Sequence, residues 1–148
     1  MERMSHDVRS LEQLSPGECL QLLEGAQVGR VVFTVAALPA VVPVTFAVHD
    51  DAIVMCTAPA TQLAAAADRG VLAFQVDELD PTARTGWSVV VTGVAELVTD
   101  PLTRSRIHGM VAPWAPGKHD VYIRLPLTLV TGRRIFAESS GEPAAQSG

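Results

Sequence analysis

The chain has 148 residues, 48% of them hydrophobic, and a formal net charge of -5 with a pI near 5.2. That length suits one domain with a workable core, and the acidic balance excludes the basic footprint that nucleic acid or an anionic membrane selects. No apolar run approaches the roughly 20 residues of a bilayer-crossing helix, and two cysteines, Cys19 and Cys56, without CxxC spacing or a secretory signal predict a reducing, cytoplasmic setting.

In chain order, residues 1–13 are polar and predict a flexible N-terminal tail. Ser15-Pro16-Gly17-Glu18 is a capping-box pattern with Pro at the first helical position, so a short helix is expected over 16–25. The β-branched runs 29–35 and 40–48 predict two strands around a Leu38-Pro39 break. Asp50-Asp51 turns the chain into a third strand over 52–57, which makes a meander.

Residues 61–69 are alanine-rich with Gly70 placed to end them, which predicts a second helix. Strands are expected over 71–76 and 87–98, the second long enough that Gly93 marks a bend or bulge. Asp100-Pro101 opens a third helix to about Met110, Pro113-Trp114-Ala115-Pro116-Gly117 is a rigid loop, and 121–125 and 127–135 supply the last strands.

About seven strands with helices as insertions, not in βαβ alternation, predict a mainly β antiparallel barrel with short peripheral helices. The domain is expected over 14–136, with a second flexible tail over 137–148. A mean hydropathy of +0.26 leaves apolar surface over for a subunit interface.

His6, His49, His108 and His119 stand far apart in the chain, so no metal site is predicted. GxSxG, GxxxxGK[ST] and GxGxxG are all missing, which leaves a borrowed cofactor as the source of any chemistry. No side chain stands out as a catalytic acid or base. Cys56 reads as a small buried hydrophobe, and Gln75, mid-strand between apolar neighbours, needs a backbone or ligand partner.

Thr57 and Thr61 flank Ala58-Pro59-Ala60 at the start of the second helix. Two threonines there are either ordinary caps or hydroxyls for a phosphate at the helix end. Pro43 inside a strand marks an edge or a place where a ligand meets the backbone. Trp87 is a core plug or a cofactor wall, Trp114 a loop anchor or a flat surface offered to a ligand. Arg133-Arg134 pairs either with a phosphate or with the acidic Asp77-Glu78-Leu79-Asp80 stretch.

Between Leu14 and Ile135 the chain resembles the flavin-binding split-barrel family of pyridoxamine 5'-phosphate oxidase, especially its small actinobacterial-type members. The motifs are Leu14-Ser15-Pro16, Val28-Gly29-Arg30-Val31, Pro43-Val44-Thr45-Phe46, Thr85-Gly86-Trp87-Ser88, Pro113-Trp114-Ala115-Pro116-Gly117 and Thr131-Gly132-Arg133-Arg134-Ile135.

The resemblance implies a split barrel that binds flavin mononucleotide (FMN) between the subunits of a homodimer and transfers hydride to or from a small organic molecule. It lays the backbone of Val44, Thr45 and Phe46 along the flavin ring and gives the Thr57–Gln62 loop to the phosphate. Trp87, Ser88, Trp114, Arg133 and Arg134 approach from the walls, some from the partner.

Gln62 stands where the family usually has Lys, which removes a charge-assisted hydrogen bond worth about 1.5 to 3 kcal/mol unless Arg30, Arg69 or Arg84 compensates. The alternatives are a reductase that uses a deazaflavin and a flavin carrier or sensor without turnover.

Overall fold

The computed structural model of the chain describes residues 9–137. Of the expected tails over 1–13 and 137–148, residues 1–8 and 138–148 lie outside the described residues, and Ala137 ends the last strand. Residues 9–13 do not continue a tail: Arg9–Gln13 form β1, paired antiparallel with the last strand through Leu11↔Ile135 and Glu12↔Arg134. Five residues are too few to announce a strand by pattern; an otherwise unpaired strand edge recruits them.

Helix α1 (Pro16–Glu24) starts at the expected capping box. The Ser15 hydroxyl accepts from the Glu18 N–H at 3.2 Å, and the Glu18 carboxylate accepts from the Ser15 N–H at 2.9 Å. Buried Cys19 and Leu23 seat the helix.

The meander forms as β2 (Val28–Val35), β3 (Leu38–Val48) and β4 (Ala52–Thr57). Its first turn lies before the expected Leu38-Pro39 break, at Ala36 and Ala37, with φ of 50° and 68°. Val35 pairs directly with Leu38, so two residues in left-handed backbone close the hairpin and Pro39 sits inside β3. Asp50 and Asp51 turn the second hairpin as expected, at φ 53° and 57°.

Helix α2 (Gln62–Ala66) is shorter than the expected 61–69. Thr61 caps it, and Arg69 at φ 61° turns the chain into β5 (Val71–Asp80). β5 runs past residue 76 because Asp77–Asp80 pair with the start of β6 (Thr85–Val94).

The single strand expected over 87–98 is two strands, β6 and the short β7 (Glu96–Leu97). Gly93 keeps regular register with Leu72; the break falls at Ala95, whose N–H donates to the Gly70 carbonyl at 2.8 Å. From there the chain crosses to the other side of the barrel. Helix α3 (Pro101–Met110), capped by Asp100, leads to β8 (Val121–Pro126) and β9 (Leu129–Ala137).

Among the described residues nine strands form one antiparallel sheet in the order β1-β9-β6-β5-β2-β3-β4-β8-β7, curled into a half-barrel. Two short strands, β1 and β7, make up the difference from the expected seven. β3 belongs to both halves: Leu38–Thr45 pair with β2, and Phe46–Val48 pair with β4. The barrel is split at that change of partner.

Alternation sends Val31, Phe33, Leu72, Phe74, Val89 and Val91 inward, where all are buried. Phe74 meets Phe46 edge-on at 4.7 Å, and its ring lies so close over β2 that a Cβ on Gly29 would clash with it. Each large side chain buried this way contributes roughly 1.5–3 kcal/mol. A second cluster, with Cys56, Ile107 and Tyr122, fills the space between β4, β8 and α3.

The outward face of the larger half carries one mostly apolar row next to the polar cluster of Arg30, Gln75 and Asp77. Val41, Val32, Ala73, Thr92 and Leu129 lie side by side across β3, β2, β5, β6 and β9. No helix among the described residues is long and apolar enough to cross a membrane.

Candidate functional site

Where β3 changes partner, the far edge of Leu38–Thr45 carries no strand among the described residues. A pocket of about 460 Å³ opens against that edge. Val28, Phe33, Val42, Val44 and Leu63 give it apolar walls, Thr45, Thr57, Thr61 and Gln62 give it neutral polar groups, and Pro43 stands at its lip. Its size lies within the 300–1,000 Å³ usual for small-molecule sites.

Thr57 and Thr61 reach the pocket because β4 ends at Thr57 and α2 begins after Thr61. The Thr61 hydroxyl donates to the Ala58 carbonyl at 3.1 Å and accepts from the Ala64 N–H at 3.0 Å. Its 3.3 Å contact with Thr57 therefore has Thr57 as donor. Both hydroxyl protons are engaged inside the loop, which is the cap arrangement.

The loop before β8 forms the opposite wall through Pro113, Trp114 and Ala115. Trp114 is 80% exposed, a flat aromatic surface. His119 also lines the pocket, a role the sequence reading missed because it weighed histidines only as metal ligands. Its signal was its place, two residues before Val121, the register partner of Thr57.

The pocket thus collects Pro43, Val44, Thr45, Thr57, Thr61, Gln62 and Trp114 of the expected residues. Phe46 does not join them; at 4% exposed it is core, and its N–H donates to the Gln27 carbonyl at 3.0 Å. It points the same way as Val42 and Val44, one step past the split, where β4 has already closed the sheet.

Ser88 and Arg133 are register partners on the outward face, away from this pocket. Trp87 packs partly into the core and, with Arg134, borders a separate shallow hollow beside Glu78 and Phe136. Arg134 stands 3.9 Å from both Glu12 and Glu18, so its acidic partners are these and not the 77–80 stretch.

None of Arg30, Arg69 and Arg84 lines the pocket, and among the described residues no other Arg or Lys does. Arg30 lies outward, 3.4 Å from both Asp77 and Gln75, and the Gln75 amide donates to Asp77 at 2.9 Å. Gln75 therefore finds its partners in side chains.

Burial pushes the Cys56 thiol above its ordinary value, which disfavours its thiolate where it meets the pocket. Among the described residues no three His, Cys, Asp or Glu side chains gather as a metal set. The arrangement suits holding a flat, largely apolar ring against a strand edge, with a polar tail running toward Thr57, Gln62 and His119.

Residues 15–134 match the protein family described as pyridoxamine 5'-phosphate oxidase. An uncharacterized protein of Mycobacterium tuberculosis is 41% identical over 136 residues, 88% of this chain and 90% of its own length. The FAD binding protein of Mycobacterium smegmatis has a similar solved structure, with TM-score 0.66 and 32% identity, covering 84% of this chain and 98% of that one. A FAD-binding protein of Mesorhizobium loti aligns with TM-score 0.72 and 25% identity over 86% of this chain and 98% of its own.

Proposed function

The chain belongs to the pyridoxamine 5'-phosphate oxidase family, and from that premise we propose that it is an oxidoreductase holding FMN in the pocket beside β3. The observation that carries this reading is the pocket itself. An unpaired strand edge offers main-chain donors and acceptors to the rim of a heteroaromatic ring, and Val42, Val44 and Trp114 offer it apolar cover. A flavin bound there supplies hydride and electron transfer to a small organic molecule; the chain's own residues bind, orient and exclude water.

FAD is the second reading, favoured by the names of the solved relatives from Mycobacterium smegmatis and Mesorhizobium loti. Either flavin leaves the adenine end, or its absence, to be decided outside the 460 Å³ of this pocket.

The outward face supports a homodimer. Its one mostly apolar row starts at Val41, next but one to the pocket-lining Pro43, and continues across the sheet to Leu129, beside a mixed row of Pro43, Arg30, Gln75, Val90 and Thr131. A second copy seated there would bring a wall to the open side of the site, and Ser88 and Arg133 lie on the face it would cover.

The test begins with the purified protein's visible spectrum and the small molecule it releases on denaturation. FMN or FAD, bleached by a nicotinamide donor and reoxidised by an added acceptor, is the expected result. A bound flavin that never turns over makes the protein a carrier, and a colourless protein that takes up only a deazaflavin contradicts the proposal.

A further inference from the structure

A flavin phosphate brings negative charge into a chain already at -5, and among the described residues the pocket offers it neither Lys nor Arg. The threonine hydroxyls are engaged with each other and with Ala58, and Gln62 contributes only a neutral amide. Among the described residues one lining side chain can carry positive charge, His119.

Its geometry fixes how. His119 Nδ1 lies 3.0 Å from the Gly117 carbonyl oxygen, an atom that only accepts, so Nδ1 carries a proton. The second ring nitrogen, Nε2, is then the one that gains or loses a proton without breaking the anchor.

The neighbouring charges leave this role to His119. Lys118 stands 3.7 Å from Asp120 with its side chain 80% exposed. Arg104 of α3 donates to the Asp120 carbonyl at 2.9 Å and covers the Tyr122 ring. His108 of α3 bonds the Tyr122 hydroxyl. From β4 the pocket receives only the Cys56 thiol and Thr57, and from α2 only Gln62 and Leu63; β2 and β3 contribute no titratable side chain.

We propose that His119 is the anion-binding residue of the pocket, its imidazolium Nε2–H taking the phosphate ester that FMN and FAD both carry on the ribityl chain. The inference rests on the flavin reading. Binding a phosphate beside a neutral imidazole draws a proton from solution. Riboflavin, which lacks the phosphate, does not.

Calorimetric titration with riboflavin, FMN and FAD, at pH 7.5 in two buffers of different ionisation enthalpy, tests this. The wild type is expected to bind the phosphorylated flavins about tenfold to a hundredfold more tightly than riboflavin and to take up protons only with them. His119→Gln should erase both the preference and the proton uptake while leaving riboflavin affinity unchanged. His119→Arg should restore the preference without the uptake. A preference that survives His119→Gln, or a loss shared equally by riboflavin, overturns the assignment. A wild type that binds none of the three flavins removes the flavin reading and this inference with it.

Discussion

At the scale of single residues, glycines record where parts of the fold touch. A side chain on Gly29 would press into the Phe74 ring, and one on Gly132 would come within 2.6 Å of the Cys19 sulfur. Gly29→Ala must displace a fully buried aromatic ring, and overpacking of that kind typically costs about 1–3 kcal/mol. Urea unfolding is expected to show that loss, and a midpoint equal to wild type would mean that the ring is not seated as described. Both glycines belong to motifs legible in the sequence, although the contacts that demand them are not. Phe46 shows the same limit: period-two alternation gives the face it shares with Val44, but only the pairing of β4 decides that one faces a pocket and the other the core.

At the scale of elements, local chemistry was the most readable layer. The Ser15–Glu18 box, the Asp50-Asp51 turn and the Asp100 cap all stand where the sequence placed them. The Glu18 carboxyl is held below its usual range first by the Ser15 N–H and then by the Ser15 hydroxyl, and Asp100 first by the Thr103 hydroxyl and then by its N–H. Each therefore stabilises the fold above the unfolded carboxylate value, roughly pH 4, and that contribution is lost as pH falls through the lower folded value. Acid unfolding of Glu18→Gln and Asp100→Asn is expected to be less pH-dependent than wild type below about pH 4; unchanged dependence would place the acid sensitivity elsewhere.

The Ala36-Ala37 turn was missed because alanine carries no turn signal, yet both residues adopt left-handed backbone. That conformation costs an L-residue other than Gly or Asn about 1–2 kcal/mol. Replacing the pair by Asn-Gly is expected to raise the thermal midpoint, and a lower midpoint would contradict the hairpin geometry. β1 and β7 were illegible for a different reason, since strands of five and two residues exist only because a neighbouring edge is there to pair with.

At the scale of the whole molecule, strand content and the lack of βαβ alternation were enough for an antiparallel barrel, while strand order and the position of the split depend on long-range pairing. The split makes the pocket, and the outward face beside it predicts the assembly. Val41 and Leu129, both 57% exposed on that face, are the residues to change. Val41→Glu or Leu129→Glu is expected to shift a dimer toward monomer in sedimentation without lowering helix and strand signals, whereas a wild type that is monomeric at all concentrations would refute the shared site. The most direct test of the flavin pocket is a fluorescence titration of wild type and Val44→Arg with FMN. One flavin per chain, with Trp114 emission quenched in the wild type and binding abolished in a folded Val44→Arg, is the predicted result. Equal binding by both proteins would place the flavin outside the pocket and contradict its assignment.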